Sequence, residues 1–311
     1  MGASDTRRVL VTGATGLIGV RLVRALRDEG YAPQCLSRDV ARAAQRLPEG
    51  AEAVAWNGRT PPRGALAGTA AVVHLAGEPV FAGRLTARRR AAIRDSRIVS
   101  TRQLVQSMGE LPAAERPGAF LCASAVGYYG SRGDEILDEA SPPGTGFLAE
   151  VCVDWEAEAA RATAAGVRTC SLRIGIVLAR EGGALPKMAL PVRLGLGGPL
   201  GDGRQWVPWI HVDDLVALML TVVRDARADG VVNAVAPEPV RNLELTRAIA
   251  RVLRRPALLR APAFAVRAAL GELAEELLGS RRVLPKRASE LGFRFRHPTL
   301  ETALAAELAG S

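Results

Sequence analysis

The chain has 311 residues, 48% of them hydrophobic, with 41 basic and 32 acidic side chains and a net charge of +9. That length and composition predict a globular protein with a large core, and no run reaches the roughly 18 apolar residues of a membrane span. Only Lys187 and Lys286 are lysines. The arginines are spread along the chain, densest in "TARRRAAIRDSR" (86–97), with no nucleic-acid recognition motif beside them. An anionic small molecule is therefore the expected partner, rather than nucleic acid.

Cys35, Cys122, Cys152 and Cys170 form no C-x-x-C pair and have no histidine close in sequence. A metal site or a disulfide framework is not expected, and a reducing cytoplasm is. "MGASDT" fits the loose myristoylation pattern. The first strand is expected within ten residues, which leaves no room for a signal peptide, and no membrane attachment is expected.

In chain order, "VLVTG" reads as a short strand and "LIGVRLVRALRDEG" as a helix stopped by Gly30. "APQCLSR" reads as a second strand. Next come the strand "AAVVHLAG" (70–77) and the long helix "ARRRAAIRDSRIVSTRQLVQSMGE". "GAFLCASA", "AEVCVDWEAEAARATAAG" and "VRTCSLRIGIVL" follow as strand, helix and strand. This alternation predicts an α/β, Rossmann-like doubly wound parallel sheet. Residues 180–215 are rich in glycine and proline and should frame a pocket. "VDDLVALMLTVVRDARADG" and "GVVNAVAP" return to helix and strand, and short helices dominate after Asn242.

Gly13, Gly16 and Gly19 stand in "TGATGLIG" (12–19), between the first strand and its helix. A tight turn, close backbone approach to a pyrophosphate and helix–strand packing each call for one glycine at this spacing. Thr12, Thr15, Leu17 and Ile18 flank them, and helix N-terminal N–H groups can hold phosphates. The second strand ends at Ser37 and Arg38, which suit a ribose 2′-phosphate. NADP(H) is therefore expected over NAD(H), with Asp39 as the competing reading. The expected division is an NADP-binding Rossmann domain over 1–178 plus about 211–236. A smaller, mostly helical C-terminal substrate lobe should take 179–210 and 237–311.

The glycine run, "HLAG" (74–77), "SAVGYYG" (124–130), "LRIGIVL" (172–178) and "WIHVDDL" (209–215) resemble the extended short-chain dehydrogenase/reductases. With "FLAEVCVDWE", "RLGLGGPLGDGRQWVPWIHVDDL" and the terminal "LGFRFRHPTLETAL", the chain is similar to an atypical branch. That branch is the epimerase family with a DUF1731 C-terminal domain, to which short-chain dehydrogenase/reductase family 39U belongs. The resemblance implies an NADP-binding Rossmann fold. It places cofactor contacts at Ser37, Arg38, Leu75, Ala76, Gly77, Arg97, Cys152 and Ile174.

The resemblance also exposes a departure. Ordinary members carry a Tyr-x-x-x-Lys pair, in which the lysine holds the cofactor ribose and lowers the tyrosine pKa. Counting back from Glu156 puts Leu148 and Cys152 at those positions. Ser124 stands one residue before the usual serine position, where Ala125 lies. The candidate substitutes are Ser124, Tyr128 and Glu78, while His74 and His211 read as structural. Arg204, Gln205, Trp206 and Trp209 are the expected substrate-pocket residues, for an anionic or ring-bearing ligand. Two functions follow. One is an NADP-dependent oxidoreductase or epimerase-like enzyme with unusual proton-transfer groups. The other is an NADPH-binding sensor or partner-binding protein without turnover. The partners expected are a small, anionic substrate and at most a second copy of the chain as a homodimer.

Overall fold

The computed structural model describes residues 7 to 308, so the myristoylation pattern at 1–6 lies outside the described residues. Seven parallel strands form the central sheet. They are Arg8–Thr12 (β1), Ala32–Ser37 (β2), Glu52–Ala55 (β3), Ala71–His74 (β4), Ala119–Ala125 (β5), Arg168–Ile174 (β6) and Gly230–Ala234 (β7). Their spatial order is β3-β2-β1-β4-β5-β6-β7. The order reverses between β1 and β4, where Thr12 is the register partner of both Leu36 and His74. A crevice at the carboxyl ends of these strands is the ligand position of a doubly wound sheet.

Alternation along β1 explains the two-sided core. Val9 and Val11 face the helices Leu17–Asp28 (α1) and Val212–Arg224, with Leu22, Leu26, Leu215 and Met219. Leu10 faces the helices Ala87–Gly109 (α2) and Phe147–Ala160 (α3), with Leu104, Met108 and Trp155. A third cluster joins Leu185, Val207 and Trp209 to Leu245, Ile249 and Leu304 of the C-terminal helices. Among the described residues no helix is long and apolar enough to cross a membrane.

The run "VRTCSLRIGIVL" reads as one strand but divides at Gly175. A Cβ there would meet the Pro208 carbonyl oxygen at 2.8 Å and Val235 Cγ1 at 3.0 Å. The chain leaves the sheet at this crossing, and Ile176–Leu178 pairs instead with Trp209–His211. The edge strand β3 has little apolar alternation, which is why no strand is expected there from its sequence.

Candidate active site

The three glycines of the first turn have different neighbours. Gly13 has φ +68°, and a Cβ on it would lie 2.7 Å from the Leu75 carbonyl carbon. A Cβ on Gly19 would lie 2.3 Å from the Gly13 oxygen. The fold itself therefore excludes side chains at both positions. Gly16 is exposed, has φ −78° and ψ 174°, and its Cβ would touch only the Gly13 oxygen, at 3.3 Å. Packing gives no reason for a glycine there, and a close ligand does. Gly16 also caps α1, which has no side-chain cap and no acidic residue in its first turn. A helix start left this way, at Leu17 and Ile18, suits a phosphate. Thr15 sits half-buried beside it.

Thr12 is fully buried and braces the crevice from behind. Its Oγ1 lies 2.6 Å from His74 Nδ1 and accepts from the Leu75 and Ala76 backbone N–H groups, both at 3.2 Å. His74 Nε2 contacts Ser100 Oγ at 3.1 Å, and burial, then nearby Arg97, pushes the imidazole pKa down to about 3. His74 is thus a neutral structural link, as its motif suggests.

At the tip of β2 the Ser37 hydroxyl is turned to the Asp39 backbone, donating to its oxygen at 2.9 Å. Asp39 accepts from the Arg42 N–H at 2.9 Å and caps the helix Val40–Arg46. That carboxylate is therefore occupied away from a ribose. Arg38 is exposed and has no carboxylate partner among the described residues.

Arg97 comes from α2 to the crevice floor. Its Cζ would lie 3.1 Å from a Cβ on Gly77, and it sits 5.2 Å from the Trp155 ring centre. Nη1 donates to the Glu78 and Ile93 carbonyls at 3.0 and 3.2 Å. No carboxylate forms a salt bridge with it among the described residues. Burial lowers its pKa from the ordinary arginine value, against the opposing charges of Cys152 and Glu78. A half-buried cation without a counter-ion is costly unless a ligand supplies the anion or acceptor. Glu78 itself pairs with Arg89 at 3.4 Å.

Leu148 and Cys152 lie one turn apart on α3. Cys152 is buried, and burial, then Glu156, pushes its thiol up to about 12. It is a packing residue, not a nucleophile. Four residues on, Glu156 anchors a network that the sequence motifs did not reveal. Ser124 Oγ donates to Glu156 Oε1 at 2.6 Å. Arg173, opposite Ser124 in register, grips the same carboxylate through Nε and Nη2 at 2.9 and 2.8 Å. Arg173 Nη1 donates to the Tyr129 hydroxyl at 2.9 Å, and its Cζ lies 3.4 Å from the Tyr128 ring centre. Burial disfavours the Arg173 charge, but the bonds and charge of Glu156 outweigh it and raise its pKa. Ser124 gives its one proton to a carboxylate, so towards the crevice it offers lone pairs. A single arginine inside the apolar run "TCSLRI" was the available signal, because buried charges require partners. Ile174, at the end of the same strand, is half-buried.

The expected pocket residues separate. Trp209 is a core residue, 1% exposed, with Nε1 donating to the Glu238 carbonyl at 3.3 Å. Strand pairing with Ile176 turns it inward, so it does not line a pocket. Gln205 is also buried and ties the Leu200 and Leu277 carbonyls together, both at 3.2 Å. Arg204 is exposed, and its carbonyl accepts from Arg241. Trp206 remains at the rim, between the Arg241 and Arg282 guanidiniums at 4.4 and 4.7 Å, with Nε1 bonded to Asp134 at 2.7 Å. Elsewhere, His211, Asp213 and His297 place ligating atoms within 4.8 Å of one another. Arg21 already holds Asp213 at 2.6 Å, and His211 Nδ1 accepts the Asp213 N–H at 3.1 Å. Both groups are therefore spoken for, by a cation and by the backbone.

Residues 9–235 match the NAD dependent epimerase/dehydratase family, and residues 261–307 match DUF1731, a domain of unknown function. The chain is 42% identical over 305 residues to the Arabidopsis thaliana "epimerase family protein SDR39U1 homolog, chloroplastic", covering 96% of this chain and 86% of that one. It is 35% identical to the Bacillus subtilis epimerase family protein YfhF, covering 97% and 98%. The crystal structure of human epimerase family protein SDR39U1 (isoform 2) with NADPH superposes with a TM-score of 0.84 at 31% identity, over 96% and 98% of the two chains. The chain belongs to the NAD-dependent epimerase/dehydratase family, in the branch that ends in a DUF1731 domain.

Proposed function

We propose that this protein is an NADP(H)-dependent oxidoreductase or epimerase-like enzyme acting on a small, anionic substrate without the usual Tyr-Lys pair. The observation that carries the cofactor reading is Gly16, which is open where the fold needs no glycine, beside two glycines that the fold does need. Gly13 to Gly19 then receive the pyrophosphate, and Arg38 the 2′-phosphate, with Ser37 joining once its hydroxyl turns from the Asp39 oxygen. Leu75, Ala76, Gly77 and Ile174 line the nicotinamide half. The bound nicotinamide supplies hydride chemistry. NADPH in the crystal structure of the human relative supports the same choice.

In this reading Arg97 stands in for the missing lysine. It approaches the Cys152 region from α2 rather than from α3, and it has donors left for ribose hydroxyls. Ser124, with its proton committed to Glu156, orients a substrate donor, while Tyr128 stacks over Arg173 at the strand ends. Trp206 and the arginines around it favour an anionic or ring-bearing ligand at the rim. Four unpaired cysteines agree with a reducing compartment such as the cytoplasm.

A second reading, an NADPH-binding protein without turnover, is favoured by Leu148 and Cys152. The test is a metabolite screen against the NADPH-loaded protein, read by cofactor fluorescence. A ligand that quenches or oxidises the bound cofactor supports the enzyme. NADPH binding with no responding metabolite supports the sensor, and no NADPH binding removes both.

A further inference from the structure

The DUF1731 segment brings a carboxylate to the turn beside Leu148, the position expected to carry the family's tyrosine. Gly127, in the turn after β5, is buried. A Cβ placed on it would lie 3.8 Å from Leu148 Cβ and 3.8 Å from Glu276 Oε2. Leu148 on α3 and Glu276 on the short helix Ala274–Leu278 thus both border Gly127. The carboxylate is held there. Arg281 Nη2 donates to Glu276 Oε2 at 2.8 Å, and Nη1 donates to the Glu276 carbonyl at 3.2 Å. Arg281 is 6% exposed, and its buried Nε has no hydrogen-bond partner.

The segment that carries Glu276 is tied to the Rossmann half on both sides. Arg90, at the start of α2, pairs with Glu272, and Arg84 donates to the Ala268 carbonyl at 2.7 Å. Beyond Glu276, Ser280 donates to the Gly133 carbonyl at 2.6 Å, and the Arg132 N–H donates to the Ser280 carbonyl at 2.8 Å. A group fixed by flanking anchors and its own arginine is preorganised. Glu276 is also half-buried rather than sealed, so a ligand can reach it.

We propose that Glu276 is the proton acceptor of this site, in place of the absent tyrosine, for a substrate that presents a secondary alcohol. The proposal rests on the NADP(H) oxidoreductase reading above. Glu276 takes the hydroxyl proton as the carbinol carbon gives up its hydride to the oxidised nicotinamide. The O–H and C–H bonds break and the C–O bond becomes a carbonyl. The substrate is oxidised and NADP+ is reduced. In the reverse direction protonated Glu276 returns the proton to the carbonyl oxygen.

The test uses the two cofactor forms as probes, because they differ by the positive charge on the nicotinamide ring. A carboxylate facing that ring favours the oxidised form. Dissociation constants for NADP+ and NADPH are measured by calorimetry on the full chain, for wild type, Glu276→Gln, Glu276→Asp and Glu272→Gln. The expected result is that Glu276→Gln weakens NADP+ relative to NADPH by about threefold or more. Glu276→Asp should keep most of the wild-type ratio, and Glu272→Gln all of it. If Glu276→Gln does not fold, Glu276→Asp decides alone: the shorter, more distant carboxylate should weaken NADP+ relative to NADPH by a measurable factor below about threefold, and a ratio equal to the wild-type value overturns the proposal. A ratio unchanged in Glu276→Gln, or lowered equally in Glu272→Gln, overturns the proposal. Wild-type protein that binds neither cofactor removes the oxidoreductase reading, and this proposal falls with it.

Discussion

Replacing Gly16 and Gly19 by alanine should separate ligand binding from folding. At Gly16 the backbone already has φ −78° and ψ 174°, which any residue adopts. The new methyl would meet one atom, at 3.3 Å. Such a contact is relieved by a few tenths of an ångström, and alanine is a somewhat poorer N-cap than glycine. The folding cost should be about 1 kcal/mol or less, a melting shift of roughly 1–2 °C for a chain of this size. The same methyl projects where a pyrophosphate must approach, so NADPH affinity should fall by about a hundredfold or more, and further in Gly16→Val. At Gly19 the methyl would lie 2.3, 2.6 and 2.7 Å from backbone atoms of Gly13 and Ala14. No side-chain rotation relieves that overlap, so Gly19→Ala should cost at least about 3 kcal/mol by forcing α1 off β1. Thermal melts and calorimetric NADPH titrations of both variants are the assay. A folded Gly16→Ala protein with wild-type NADPH affinity would refute the phosphate placement. A Gly19→Ala protein as stable as wild type would refute the packing argument.

Arg38→Ala should reduce the preference for NADP(H) over NAD(H) by about tenfold to a hundredfold, the worth of a charge-assisted contact of ~1.5–3 kcal/mol; equal wild-type affinity for the two cofactors would contradict it. Glu156→Gln leaves the buried Arg173 cation without its counter-ion and should cost about 3–5 kcal/mol in urea unfolding, whereas an exposed pair such as Arg251–Glu301 should cost less than about 1 kcal/mol. His74 and His211 have folded pKa values of about 3 and about 4, both depressed first by burial. Depressed histidines bind fewer protons folded than unfolded, so stability is intact above about pH 6.5 and declines as pH falls below it. The loss at pH 5 should be roughly 2 kcal/mol for each, and His74→Gln should remove part of it; a flat stability from pH 7 to 5 would exclude the neutral assignment. Arg97→Ala should weaken NADPH binding, while Arg97→Lys should retain part of it; equal binding by all three proteins would show that Arg97 does not replace the lysine.

The parts of this protein that were legible in its sequence are those whose causes are local. The glycine turn, the alternation of strands and helices, and the tip of β2 each depend on residues within one βαβ unit. Gly13 and Gly19 could be read because a turn and a close packing contact act over six positions. The break at Gly175 could not, since its cause is Pro208 crossing from more than thirty positions away. Trp209 shows the same limit. In sequence it stands in a Gly- and Pro-rich loop beside Trp206, and only the pairing of residues 209–211 with 176–178 turns it into the core while Trp206 stays at the rim.

The candidate site is the extreme case, and Leu148, at the position expected for a tyrosine, shows why. A motif read along α3 finds Leu148 and Cys152 at the expected Tyr and Lys positions and stops, because neither offers the pair's hydroxyl or cation. The polar groups that surround that helix come from four distant places. Ser124 and Arg173 arrive on neighbouring strands and close on Glu156, Arg97 arrives from α2, and Glu276 arrives from the DUF1731 segment. Their pairing also constrains their chemistry. Glu156 is bonded by both Ser124 and Arg173, so it is poorly placed to take a proton from a ligand. The Arg97 cation keeps donors but no acceptor. Glu276 Oε2, the oxygen nearest Gly127, is held by Arg281, and the carboxylate is half-buried at the edge of the network rather than inside it. We assign proton exchange with a ligand to the carboxylate that the C-terminal segment supplies beside Leu148, with Glu78, paired to Arg89 at 3.4 Å, as the competing carboxylate.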